Sequence, residues 1–185
     1  LSLVGEHLFI TMVAITIAII VGVAVGVVIS EKRKIAGIVI SIVNVLYTIP
    51  SIALLGVLIS VTGIGNKTAI IALTLYALLP VVRSTYTGIV NIDEKIVEAS
   101  EAMGSTKFQT MYKVKLPLAF PVIFSAIRNM VTMTIALAGI ASFVGAGGLG
   151  VAIYRGITTN NANLLLIGSI LIALLALVSD GLLGI

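Results

Sequence analysis

No cysteine occurs among the 185 residues, so disulfide bonds and thiolate chemistry are excluded, and cysteine usage gives no redox compartment. The one histidine, His7, has no cluster of further ligands around it, so a place at the surface or among lipid headgroups is expected rather than a metal site. Charge is equally scarce. Lys, Arg, Asp and Glu make up 10% of the chain, against about 25% in ordinary soluble domains. The acidic residues lie mainly beside lysines rather than as a pair inside an apolar stretch, which leaves general acid–base catalysis without candidates. GAGGLG, residues 145–150, is not followed by the Lys and Ser or Thr of a phosphate loop, so a tight or re-entrant turn between helices is the better reading. Neither an initiator Met nor an Arg-rich leader nor a small-residue cleavage site opens the chain. A fragment, truncated at one or both ends, is therefore expected.

What is present in quantity is apolar. Residues of that kind form 59% of the chain, with a mean hydropathy of +1.26, which marks an integral membrane protein. Spans of about 20 residues cross about 30 Å of hydrocarbon as helices, and the short alternating segments of a membrane barrel are not the dominant pattern. An all-α fold with five spans is predicted, over residues 8–29, 35–60, 68–90, 118–143 and 164–183, with a short interfacial helix over 152–159. Pro50 should bend or interrupt the second span and Pro80 the third. The net charge of +4 is concentrated beside the spans, so headgroups and topology account for it better than nucleic acid does.

Small and polar residues recur at helical spacing. Ala14, Ala18, Gly22 and Gly26 give the first span a narrow face suited to close helix packing. Ser41, Asn44, Thr48 and Ser51 would share one face of a continuous second span, with Tyr47 beside it. Ser125, Asn129 and Thr132, continued by Ala136 and Gly139, form a similar face in the fourth. Polar groups in hydrocarbon need partners, so these faces point either to a translocation pathway or to ordinary interhelical hydrogen bonds. Arg83 near the end of the third span is open to snorkelling or a buried contact. Asp180 near the end of the last could meet a basic group or headgroup water.

Residues 91–117, NIDEKIVEASEAMGSTKFQTMYKVKLP, are the one long stretch that water would accept. They carry eight of the eighteen ionisable Lys, Arg, Asp and Glu side chains. A capping box from Asn91 to Glu94 is predicted to open a first short helix with Ile92, Ile96, Ala99 and Met103 on one side. Gly104 ends that helix. A second box, Thr106 with Gln109, opens a helix whose Phe108, Met111, Tyr112 and Lys115 share a face until Pro117 stops it. Such an elbow is either an ordinary exposed loop or a docking surface; the small Ala99, Ala102 and Gly104 leave room for a partner. With five spans, Lys32, Arg33, Lys34, Lys95, Lys107, Lys113 and Lys115 fall on one side, against Lys67 and Arg155 on the other. The positive-inside tendency then puts the elbow and C terminus in the cytoplasm and the N terminus outside.

EASEAMG, Glu98 to Gly104, followed by Val114, Leu116 and Pro117, resembles the EAA signature of permease subunits from bacterial ATP-binding cassette importers, with Ser100 where the motif usually has its second Ala. YTIPSIALLG from Tyr47, LPVVRSTYTGI from Leu79 and FVGAGGLGVAIYRGI from Phe143 look like the glycine betaine, carnitine and choline branch of that family. The resemblance implies one transmembrane permease domain over 1–185, with 91–117 its cytoplasmic coupling segment, in a multi-pass protein of the bacterial cytoplasmic membrane. It implies a homodimer or related heterodimer of permeases, two cytoplasmic ATPases that hold ATP and Mg, and an extracytoplasmic solute-binding protein or fused binding domain. No cofactor is expected in this chain itself. Glu98, Ala99 and Gly104 are then the ATPase-coupling residues, and Ser41, Asn44, Thr48, Ser51, Ser125, Asn129 and Thr132 the candidate pathway. Methionine, ergothioneine or another amino-acid-like solute is an alternative cargo. A secondary transporter working without ATP is a further alternative, although no acidic coupling-ion site is evident at mid-membrane.

Overall fold

Small residues decide which helix faces turn inward. The structure, a computed structural model, describes residues 2–184. Its first helix, α1 (Ser2–Glu31), buries Ala14, Ala18, Gly22 and Gly26 and turns Phe9, Met12, Ile20 and Val28 outward. This inverts the soluble pattern, because large apolar groups are at home in lipid while small ones let helix backbones approach. The partner is α4 (Asn66–Val90): a Cβ added at Gly22 would meet Val81 at 2.8 Å, and one at Gly26 would meet Thr85 at 2.5 Å. Gly22 opposite Val81 and Gly26 opposite Thr85 advance in the same direction, so α1 and α4 run parallel.

Between them lie α2 (Arg33–Thr48) and α3 (Ser51–Thr62), which meet at 99°. A chain joining the end of one helix to the start of a parallel one must cross back, so the broken pair makes one traverse. The break follows from Pro50, which holds itself and Ile49 in extended backbone, with ψ of 132° and 127°. Tyr76 of α4 donates its hydroxyl to the Ile49 carbonyl, supplying a partner where the helical ladder stops. Helicity therefore carries Ser41, Asn44 and Thr48 together, but Ser51 belongs to the first turn of α3. The predicted four-residue polar face ends at Thr48.

After α4 come α5 (Glu94–Ala102) and α6 (Lys107–Thr110), the two arms of the elbow. The expected box at Asn91 does not form: Asn91 closes α4, and Asp93 caps α5 by accepting from Lys95 N–H at 3.0 Å. Asp93 can do this because its carboxylate sits one residue ahead of the helix, a cap worth about 1 kcal/mol. The second box is present, with both Thr106 and Gln109 side chains engaged. Pro117 does not stop the chain as expected. A π-helical segment, Met111–Lys115, leads directly into α7 (Leu116–Leu137), with Pro117 in its first turn. Where the hydrogen-bond register is already changing, a missing donor is cheap.

Beyond α7 the helix tightens to 3₁₀ over Ala138–Val144, and α8 (Gly150–Thr158) leads to α9 (Ala162–Leu183). A Cβ at Gly88 of α4 would lie 3.3 Å from Ala119 of α7, which makes these two an antiparallel hairpin around the elbow. Contacts of α9 with α7 and its 3₁₀ extension, at Arg128–Asp180 and Gly139–Ile172, run antiparallel as well. Four long helices plus the broken pair therefore make five crossings of a bundle. The elbow and the C-terminal end of α1 lie at one pole, and the start of α1 with the glycine-rich turn at the other.

Candidate coupling elbow and membrane pathway

The bend of the elbow is set by a Schellman cap. Gly104 N–H donates to Glu101 O at 2.9 Å and Ser105 N–H to Ser100 O at 3.2 Å, with Gly104 at φ +89°. Ser100 is the one buried residue of α5, and its hydroxyl lies 3.2 Å from that of buried Thr110 on the second arm. The serine in place of the motif's alanine thus ties the arms together. Glu98 and Ala99 are exposed on α5, beside Met103, which is 82% exposed. Gly104 is exposed too, and a Cβ there would have no heavy atom within 4 Å. Phe108, 69% exposed, packs on Tyr112 with ring centroids 4.4 Å apart. Apolar side chains held out of the most hydrophilic stretch of the chain make a surface suited to a protein or lipid partner.

The predicted polar faces are only partly brought together. Ser125 and Asn129 are exposed and, with Ser84, Pro80 and Pro121, line an open groove of about 530 Å³ between α4 and α7. Thr132 is half-buried and returns its hydroxyl to Arg128 O on its own helix at 3.2 Å. On α2, Ser41 and Thr48 are exposed, Thr48 donates to Val45 O at 2.8 Å, and Asn44 is half-buried. Ser51 lies apart, in a small recess with Tyr76 and Leu137. The direct link between α2 and α7 is instead Tyr47, whose hydroxyl approaches Met133 Sδ at 3.9 Å and whose ring stands edge-on to Tyr76 at 6.0 Å.

Two of three further contacts were not foreseen from residue patterns, while the first gives Asp180 the basic partner allowed for it. Arg128 of α7 holds Asp180 of α9 with two bonds, Nε to Oδ1 at 2.5 Å and the second nitrogen to Oδ2 at 2.7 Å. Arg128 stands thirteen residues, about 20 Å of helix rise, beyond Lys115 and so midway along α7, while Asp180 lies in the last turn of α9. Two opposite charges, each isolated in a long apolar run, were the available signal. Lys115 itself bonds Glu31 at 3.0 Å, fastening the second arm to the end of α1. His7 corrects its expected surface position: it is 1% exposed, and its Nε2–H donates to Ile135 O at 3.0 Å. The carbonyl is available there because α7 is about to tighten into 3₁₀ geometry.

At the pole opposite the elbow the glycine-rich turn is a tight connection. Gly147 N–H donates to Asn66 Oδ1 at 2.9 Å and Gly148 N–H to Glu6 Oε2 at 3.1 Å. A Cβ at Gly150 would fall 2.1 Å from Gly139 O, so that position is glycine because two backbones touch.

Five helical crossings, a hydrophilic elbow at one pole and a groove between α4 and α7 that carries Ser84, Ser125 and Asn129 fit a transport subunit of the membrane. The chain belongs to the family described as "Binding-protein-dependent transport system inner membrane component", which matches residues 13–185. It is 42% identical over 180 residues to the carnitine transport permease protein OpuCD of Listeria monocytogenes serotype 1/2a (strain 10403S), covering 97% of this chain and 81% of that one. It is equally 42% identical over 180 residues to the glycine betaine/carnitine/choline transport system permease protein OpuCD of Bacillus subtilis (strain 168), with 97% and 79% covered. The ergothioneine transport permease/ergothioneine binding protein EgtU of Helicobacter pylori (strain G27) is 40% identical over 164 residues, 89% of this chain but 30% of its own length. Among solved structures, the inward-facing MetNI methionine ABC transporter superposes with a TM-score of 0.88 at 28% identity, covering 99% of this chain and 92% of that one. The protein is a multi-pass membrane permease with the ABC importer permease fold.

Proposed function

We propose that this permease couples ATP hydrolysis in separate cytoplasmic ATPase subunits to import of betaine-like quaternary amines. The observation that carries the reading is the elbow, a water-accepting segment that bends at a glycine of positive φ and holds Glu98, Ala99 and Met103 exposed on one arm. Residues 91–117 are its coupling segment, with Glu98 and Ala99 at the ATPase contact and Gly104 setting the bend. Lys115–Glu31 and Ser100–Thr110 make the elbow stiff enough to pass movement to α1 and α7. Alternating access then runs through the bundle past Ser125, Asn129 and Thr132 on α7 and Ser41, Asn44, Thr48 and Ser51 on α2–α3. Two permease chains, identical or related, would enclose that route, and a binding protein or fused domain would deliver solute at the pole of the glycine-rich turn. The N terminus lies outside and the C terminus inside.

The names of the 42% identical relatives support quaternary amines as cargo. The ergothioneine permease, 40% identical, supports a second reading in which the cargo is a betaine of an amino-acid derivative. Reconstitution in vesicles with the cognate ATPase and binding protein tests both. ATP-dependent uptake of labelled glycine betaine, competed by carnitine and choline, is the expected result. Competition by ergothioneine alone selects the second reading, and uptake that persists without the ATPase overturns the proposal.

A further inference from the structure

Where the second arm of the elbow meets the end of α1, a groove of about 420 Å³ opens at the side of the bundle. Its walls differ in chemistry. Val27 and Val28 of α1 and buried Met111 form an apolar floor, Phe108 and Tyr112 an aromatic rim, and Lys32 and Lys107 stand at the mouth. Val28 lies in the last turn of α1 and Lys32 one residue past its end, so this cation stands beyond the apolar floor on the side of the elbow's pole. Glu31 also lines the groove, but its carboxylate is taken by Lys115 at 3.0 Å. Among the described residues no carboxylate lies within 4.0 Å of Lys32 or Lys107, and the groove keeps a net positive charge.

We infer that this groove binds one anionic phospholipid, its phosphate between Lys32 and Lys107 and an acyl chain along Val27, Val28 and Met111. A soluble protein docked at the pole would satisfy the lysines and leave the valines, which belong to a membrane-spanning helix, uncovered. A lipid covers both. Tyr112 suits the same boundary, with an apolar ring and a hydroxyl to turn toward water. No residue of α5 lines the groove, so the site is separate from the exposed Glu98 and Ala99. The inference rests on the reading that the elbow's pole lies at a membrane surface. It does not require the proposed cargo.

The test is lipid retention by the permease, alone and in complex with its ATPase, purified from phosphatidylcholine nanodiscs doped with phosphatidylglycerol and weighed by native mass spectrometry. One retained phosphatidylglycerol per chain is expected in both states. Lys32→Gln with Lys107→Gln should weaken it on the order of tenfold, the loss of two attractions to an anionic headgroup. Val28→Trp should displace it with the charges intact, and Lys34→Gln with Lys95→Gln, basic residues of the same pole outside the groove, should not. Equal retention of phosphatidylcholine, equal loss in the Lys34/Lys95 variant, or lipid appearing only once the ATPase is removed would overturn the site. Because the readout is binding, it stands or falls independently of whether uptake requires ATP.

Discussion

At Gly104 the backbone rather than the surrounding space demands glycine, since φ is +89° and a Cβ would touch nothing within the protomer. Asparagine tolerates positive φ and valine does not, the latter losing about 1–2 kcal/mol in that region. Gly104→Asn should therefore keep most ATP-coupled uptake and Gly104→Val lose most of it, with solute capture by the binding protein unchanged in both. Equal loss in the two variants would mean that the ATPase needs the empty space, as the small residues at the bend suggested. Arg128 and Asp180 invite a different experiment, because each alone would leave an unpaired charge on a membrane-spanning helix. Arg128→Ala should lower the yield of monodisperse protein in size-exclusion chromatography, and Arg128→Asp with Asp180→Arg should restore part of it. No recovery in the exchanged pair would show that the orientation of the guanidinium matters as well as the charge.

Among elements, the α1–α4 seam has the least tolerance. Gly26→Leu would drive a side chain into Thr85, whose Cβ is 2.5 Å from the added atom, and should destabilise the solubilised protein by about 1–3 kcal/mol. Gly37→Ala on α2, with nothing within 4 Å, should change its unfolding midpoint little. This seam was legible as Ala14, Ala18, Gly22 and Gly26 because helix packing in lipid is written in short-range spacing. The number and place of the spans were legible for the same reason, as runs of apolar residues. What escaped pattern reading depends on distant partners. Asn91 lost its cap to Asp93 because Asn91 itself closes α4, so α5 opens only at Glu94, and Pro117 falls in the first turn of α7 just after a π segment whose Met111 packs with Ile89 of α4. Pro50 announced a break, but its 99° angle is held by Tyr76 from another helix. His7 looked superficial because its acceptor, the Ile135 carbonyl, lies 128 residues away.

For the whole molecule, helix contacts fix which segments share a pole, while the side of the membrane each pole faces follows from charge. Seven basic residues of the turn after α1 and of the elbow region stand against Lys67 and Arg155 at the other pole. That asymmetry favours retention of the elbow in the cytoplasm, because lysine and arginine near span ends resist translocation. The absence of cysteine from these 185 residues makes the point directly measurable, since a thiol introduced here is the only one among them. Ile64, 76% exposed in the turn between α3 and α4, and Met103, 82% exposed at the elbow, mark the two poles. In intact cells a membrane-impermeant maleimide should label Ile64→Cys at once and Met103→Cys only after permeabilisation. With orientation so established, Asn129→Cys in the α4–α7 groove should change its labelling rate between the resting complex and the ATP-bound one, since a pathway lining must exchange access from one side to the other. A constant rate would assign that groove to a static interface, and labelling of Met103→Cys from outside would remove the elbow from reach of any cytoplasmic ATPase.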